Sequence, residues 1–127
     1  MSNYMQRHST KFAKRQCASA SVSPTTADLA WAAGFMEGEG TFDANPVKGR
    51  RYARATAYQN NIEPLRKMQA LFGGSIWGFK ARRPLATAIG HTWQVHGARA
   101  RGVMLTLWTF LSAKRRGQVR MALEGGY

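Results

Sequence analysis

Two glutamates, Glu37 and Glu39, stand at the end of an apolar stretch, where their placement suggests chemistry. The stretch Leu29–Phe42 reads LAWAAGFMEGEGTF and has the pattern of a helix that ends at glycine. The helix macrodipole disfavours carboxylates at a C-terminus, so these acids cost stability unless a cation or another partner offsets that cost. Helix-end carbonyls together with a carboxylate form a hard-oxygen site for a divalent cation. The alternative is that both acids are merely solvated at a turn.

The same stretch carries small residues at intervals of four, which places Ala30, Gly34 and Gly38 on one helix face. Such a face lets a second helix approach closely. Just upstream, Thr25 and Asp28 have the spacing of a capping box, which predicts that the helix begins there.

Eleven consecutive residues within this stretch carry a family resemblance. The run from Ala32 to Phe42, AAGFMEGEGTF, resembles the motif of the LAGLIDADG homing endonucleases. It departs from that motif in having Ala32 at the opening leucine position and glutamate at both acidic positions. The chain has one such motif, so it resembles the single-motif members, which act as homodimers.

The resemblance implies an α+β fold with the element order αββαββαα. In that fold a four-stranded antiparallel, saddle-shaped sheet carries its helices on one face and lays the other over DNA. The motif helix forms the homodimer interface. The implied interface residues are Ala30, Gly34, Glu37 and Gly38.

The resemblance also implies a Mg²⁺-dependent, site-specific endonuclease that cuts both strands of double-stranded DNA. Glu39 corresponds to the second acid of the motif and would hold the metal, assisted by the backbone carbonyl of Gly38. Gln59 matches a glutamine expected at the end of the second strand. Arg99 matches a basic residue expected at the start of the helix after the fourth strand, where lysine is more usual. Glu37 is assigned to the helix end or the dimer interface rather than to the metal.

Length and charge bound the possibilities further. A chain of 127 residues makes one domain, and its net charge of +13 indicates a polyanionic partner. Nucleic acid is favoured over a membrane, because no apolar run approaches the roughly 20 residues that span a bilayer. Cys17 is the only cysteine, so no internal disulfide forms. With no secretory signal visible, the expected location is intracellular, although the acid-free, Arg- and Ser-containing start also resembles an organellar transit peptide.

The predicted organisation is a flexible basic tail over residues 1–24, followed by the endonuclease domain over residues 25–127. Within the domain, residues 50–59 alternate between alanines on one side and a row of Arg, Tyr and Thr on the other, as in a strand. The alanine side suits close helix packing, and the basic side suits DNA, although a solvated face would also be polar. The expected DNA contacts, from this strand, nearby turns and two helix starts, are Lys48, Arg50, Arg51, Tyr52, Arg54, Thr56, Tyr58, Lys80, Arg82, Arg83, Arg101, Lys114, Arg115 and Arg116.

Two other functions compete with the nuclease. One is a DNA- or RNA-binding protein of the same fold that has lost cleavage, such as a maturase or a regulator. The other is a basic structural protein without sequence preference, which would leave the acids at positions 37 and 39 unexplained. The sequence indicates neither a small-molecule substrate nor a membrane partner.

Overall fold

A five-stranded antiparallel sheet and four helices make up the fold, and the computed structural model describes residues 15–80 and 89–127. The strands occur in the spatial order β1-β4-β5-β3-β2. In chain order the elements are β1 (Gln16–Ala18), α1 (Thr26–Glu39), β2 (Gly40–Val47), β3 (Arg50–Gln59), α2 (Glu63–Phe72), β4 (Gly74–Lys80), β5 (Ile89–His96), α3 (Gly97–Leu107), a 3-10 turn (Trp108–Phe110) and α4 (Ala113–Gly125).

The α+β class is confirmed, but the expected strand count of four is wrong. The additional strand, β1, pairs with β4 so that Cys17 lies opposite Ser75. It lies within residues 1–24, for which a flexible tail was expected; residues 1–14 lie outside the described part. A strand of three residues is too short to show the alternation that identifies strands in a sequence. The saddle shape and the homodimer stay predictions.

Local hydrogen bonds define both ends of α1. Asp28 N donates to Thr25 Oγ1 at 3.1 Å, and Thr25 N donates to Asp28 Oδ2 at 3.0 Å, which confirms the predicted capping box. The backbone bond from Thr25, followed by its side-chain bond, lowers the pKa of Asp28. At the other end, the Gly40 N–H donates to the Met36 carbonyl. Strand β2 therefore follows α1 directly, with no loop between them.

The core lies on one face of the sheet, where the predicted alanine side of β3 is buried. Ala53, Ala55 and Ala57 are at most 1% exposed and belong to one cluster with buried residues of all four helices. Alanine leaves room for helices to approach the strand closely. Trp93 fills the centre of this layer, and its Nε1 donates to the Gly73 carbonyl at 2.8 Å. We refer to the opposite side of the sheet as the open face.

Tyr127 continues the sheet beside β3 at the point where β5 has already turned into α3. Ala53 N donates to the Tyr127 carbonyl at 2.6 Å, and Tyr127 N donates to the Arg51 carbonyl at 2.8 Å. The Tyr127 ring lies 5.9 Å from the Tyr52 ring. These bonds hold residue 127 against the first half of β3.

The small-residue face of α1 lies at the surface of the single chain. Ala30, Gly34 and Gly38 are exposed, and a Cβ atom placed on either glycine meets nothing within 4 Å. The helix instead buries Ala32, Ala33 and Met36.

Candidate functional site

The exposed carboxylate of Glu39, the last residue of α1, is held by a side chain from β3. Gln59 Nε2 donates to Glu39 Oε1 at 2.9 Å across twenty residues of sequence. Gly40 pairs with Ala57 at the start of β2, which brings the end of α1 beside the end of β3. The structure thus brings together two of the predicted site residues, with the Gly38 carbonyl next to them in the chain. We refer to Glu39 and Gln59 as the acid pair.

Glu37 is occupied by the start of α4 rather than by the acid pair. Ser112 donates both its backbone N–H and, at 3.0 Å, its hydroxyl to the Glu37 carboxylate. Arg115 donates to the Glu37 carbonyl at 2.8 Å. A carboxylate at a helix N-terminus is favourably placed in the field of the macrodipole. The Glu37 carboxylate is therefore the anion that binds the basic start of α4, and it connects α1 to α4.

Arg99 does not join the acid pair. Gln59 is the last residue of β3, whereas Arg99 follows the end of β5. Because these neighbouring strands are antiparallel, their C-terminal ends lie at opposite ends of the β3–β5 ladder. The register has His91 opposite Gln59 and His96 opposite Arg54, a separation of roughly 16 Å along the strand. Arg99 instead donates to the Ala18 carbonyl of β1 at 3.3 Å.

Along β3, the predicted DNA contacts Tyr52, Arg54, Thr56 and Tyr58 project on the side opposite the buried alanines, as expected. Arg54 also forms an ion pair that was not predicted from the sequence: its guanidinium donates two hydrogen bonds to the Asp43 carboxylate, at 2.8 and 2.7 Å. This hydrogen bonding raises the pKa of Arg54. This ion pair depends on the register of β2 and β3, which makes Asp43 the β2 partner of Arg54.

His96 of β5 is the register partner of Arg54 on the side away from Asp43. Burial, then the charges of Arg54 and Arg15, lower the pKa of His96, and Asp43 opposes that shift. His96 therefore adds little positive charge to the open face at neutral pH.

Several other predicted DNA contacts bind backbone carbonyls of the chain itself. Arg101 donates to the Leu123 and Gly126 carbonyls, at 3.0 and 2.8 Å, and so holds the end of α4. Arg116 donates to the carbonyls of Trp108 and Thr109, and Arg51 donates to that of Ala44. These guanidiniums are part of the architecture of the fold.

The remaining predicted contacts are exposed or lie outside the described residues. Lys48, in the turn between β2 and β3, and Lys114, in the first turn of α4, are exposed. Arg50 is also exposed, and its guanidinium lies 5.1 Å from the centre of the Tyr127 ring. The Lys80 side chain, Arg82 and Arg83 lie outside the described residues.

The donor set of one chain fits half of a magnesium site. Glu39 offers a carboxylate, and Gly38 offers a carbonyl at the helix end. Mg²⁺ takes one or two protein carboxylates and completes its shell with phosphate oxygens and water. Within residues 15–80 and 89–127, no three His, Cys, Asp or Glu side chains gather as a metal-binding group.

A scan of the chain against protein-family models finds no match, and a search of curated proteins finds no significant relative. Among the described residues, none of the helices is long and apolar enough to cross a membrane.

Proposed function

We propose that the chain is a homodimeric, Mg²⁺-dependent endonuclease that hydrolyses phosphodiester bonds in double-stranded DNA. The acid pair carries this proposal, because an exposed carboxylate is held at the end of the motif helix by an amide from β3. Both residues occupy positions that the LAGLIDADG resemblance implies.

In this proposal, Glu39 and the Gly38 carbonyl would hold Mg²⁺, which when bound would supply positive charge for the scissile phosphate and for activating a water. Gln59 donates to one carboxylate oxygen of Glu39 and so fixes the orientation of that carboxylate. Gln59 is therefore a positioning residue for Glu39.

The dimer follows from the number of carboxylates. One chain offers one exposed carboxylate at this place, and cutting two strands requires a second. A two-fold axis beside the Ala30, Gly34 and Gly38 face of α1 would bring two copies of Glu39 together, since an isologous interface repeats each residue. Exposure of that face in the single chain supports this arrangement.

The proposed catalytic site does not include Arg99, because Arg99 follows the far end of β5 and binds the Ala18 carbonyl. We assign to Lys114 the role of the basic residue near Glu39. It is exposed and stands two residues after Ser112, which binds Glu37 at the end of α1. Lysine at this place would stabilise the negative charge that develops on the phosphate.

A DNA- or RNA-binding protein of the same fold without cleavage is the second candidate. This candidate is favoured by the contacts of Glu37, because its carboxylate is already bound by Ser112. That leaves one acid per chain for a metal.

Nicking of supercoiled plasmid in Mg²⁺ tests the nuclease proposal. Glu39→Gln removes the charged ligand and should lower the nicking rate by about a hundredfold or more. Glu63→Gln is the matched control, since Glu63 is an exposed acid in the first turn of α2. If neither wild type nor Glu39→Gln nicks the plasmid, yet both bind it equally, the second candidate replaces the nuclease.

A further inference from the structure

A row of side chains crosses the open face and leads to the acid pair. Thr92 of β5 is the register partner of Trp77 on one side and of Tyr58 on the other. The two aromatic residues are thus two strands apart, about 10 Å. Thr92 between them is 8% exposed, the one buried polar residue among those described. We refer to Trp77, Thr92 and Tyr58 as the aromatic row.

Tyr58 extends across the sheet surface toward β5. A Cβ atom placed on Gly90 would collide with the hydroxyl end of the Tyr58 ring, so this ring reaches over Gly90. The residue is nevertheless 46% exposed. Glycine at position 90 therefore lets the ring lie along the sheet while much of its surface faces solvent.

At the other end of the row, a cation stacks on an aromatic ring. The Arg15 guanidinium carbon lies 4.1 Å from the centroid of the Trp77 ring. Guanidinium planes and aromatic rings both serve as surfaces for base stacking in proteins that bind unpaired nucleic acid. This end of the row thus combines a stacking surface with a positive charge.

The row ends near the acid pair. The β2–β3 register begins with Gly40 opposite Ala57, so the residue before Gly40, Glu39, and the residue after Ala57, Tyr58, both adjoin this first pair. Gln59, the partner of Glu39, follows Tyr58 in β3, and its side chain alternates to the other side of the strand. A DNA strand lying along the row would therefore run from Arg15 toward the end of α1, where Glu39 lies.

We propose that the aromatic row binds the unpaired bases of a DNA strand and presents that strand to Glu39. This inference rests on the proposed function and adds to it a class of substrate, DNA with unpaired bases next to the cut. Paired bases are already stacked on their neighbours, so the flat surfaces of Tyr58 and Trp77 match bases that have left the duplex. The net charge of +13, with Arg15 at the end of the row, suits the accompanying phosphates.

Binding of labelled DNA tests the proposal with Tyr58→Leu, which removes the ring but keeps an apolar side chain. The ligands are a single strand of about 20 nucleotides, its duplex and the RNA of the same sequence, a length that exceeds common site sizes. The affinity of Tyr58→Leu for the single strand should fall about five- to hundredfold. Its affinity for the duplex should fall by a clearly smaller factor, because paired bases do not stack on the row.

Two variants serve as controls in the same experiment. Tyr58→Phe keeps the ring and should bind the single strand nearly as well as wild type. Phe110→Leu removes an aromatic ring that is 40% exposed in the 3-10 turn, outside the row and the expected DNA contacts, and it should bind the single strand within about twofold of wild type.

The proposal is overturned if Tyr58→Leu weakens both DNA ligands equally, or if Tyr58→Phe is as weak as Tyr58→Leu. Tighter binding of the RNA by more than about tenfold would overturn the assignment to DNA. If wild type binds and nicks the duplex but does not bind the single strand, only this inference fails. If it binds neither DNA, the proposed function fails as well.

Discussion

Glu37 and Glu39 are two residues apart, yet they stand in different surroundings. Glu37 accepts two hydrogen bonds from Ser112, whereas Glu39 is exposed and accepts one from Gln59. Helical geometry alone separates neighbouring side chains of this kind, because residues two apart point to different sides of a helix. Glu37 has a structural role and Glu39 is the candidate functional acid, because the fold places different hydrogen-bond partners beside them.

Other single residues show what local sequence can predict. The Thr25–Asp28 capping box follows from a spacing of three, so the sequence contains all the information that is needed. The ion pair between Arg54 and Asp43 depends on the register of two strands, and the position of Arg99 depends on the antiparallel pairing of β5 with β3. Neither can be read from spacing, and the resemblance alone placed Arg99 beside Glu39.

The capping box makes the stability of α1 depend on pH. The pKa of Asp28 is lowered in the folded chain, so its contribution is present above the unfolded value and is lost as the pH falls through the folded value. We expect Asp28→Ala to melt at a lower temperature than wild type at pH 6. The difference should narrow below about pH 4. Thermal unfolding followed by circular dichroism measures it, and a difference that stays constant down to pH 2 would contradict the role of the charge.

At the scale of elements, the contact between α1 and α4 joins the motif helix to the final helix. Ser112 caps α4, since its Oγ accepts from Arg115 N at 3.3 Å, and it also donates to Glu37. The expected element order αββαββαα contains both helices. It did not predict their connection, because no local pattern pairs residues 75 apart.

We expect Ser112→Ala to lower the free energy of unfolding by about 1 kcal/mol, because it removes both the helix cap and the bond to Glu37. Urea unfolding measures this change. Ser23→Ala, which alters an exposed serine outside the helices, is the matched control and should leave stability within about 0.5 kcal/mol of wild type. The capping argument fails if the two variants are equally stable.

Strands were predicted less completely than helices. The alternation of β3 identified its buried and open sides, and the alanines at 53, 55 and 57 are buried as expected. β1 has three residues and is recognised only through its pairing with β4. A sequence pattern needs several repeats to become visible, and short edge strands do not provide them.

At the scale of the whole molecule, the α1 face with Ala30, Gly34 and Gly38 decides how the dimer can be tested. A side chain at position 34 meets nothing within the chain, so a substitution there acts on what lies outside it. Replacing a helical glycine should even stabilise the monomer, by up to about 1 kcal/mol. If a variant at position 34 no longer forms the dimer, unfolding of the monomer would therefore not be the cause.

We expect Gly34→Leu to sediment as a monomer at concentrations where wild type is a dimer, because the leucine prevents two helices from approaching closely. Double-strand cleavage should be lost together with the dimer. Gly102→Ala is the control, since it changes a glycine of α3 that also has open space around it. A Gly34→Leu protein that dimerises as well as wild type would refute this interface.

The docking of Tyr127 on β3 has a consequence for aggregation. Because Arg51 and Ala53 direct their backbone groups to Tyr127, their β2 partners Pro46 and Ala44 direct theirs to the outer edge of the sheet. At that edge Pro46 has no N–H to donate, and the Ala44 carbonyl accepts from Arg51. The opposite edge is β1, only three residues long. Both outer strands therefore offer a poor template for further strand addition, which protects a long antiparallel sheet from growing into fibrils.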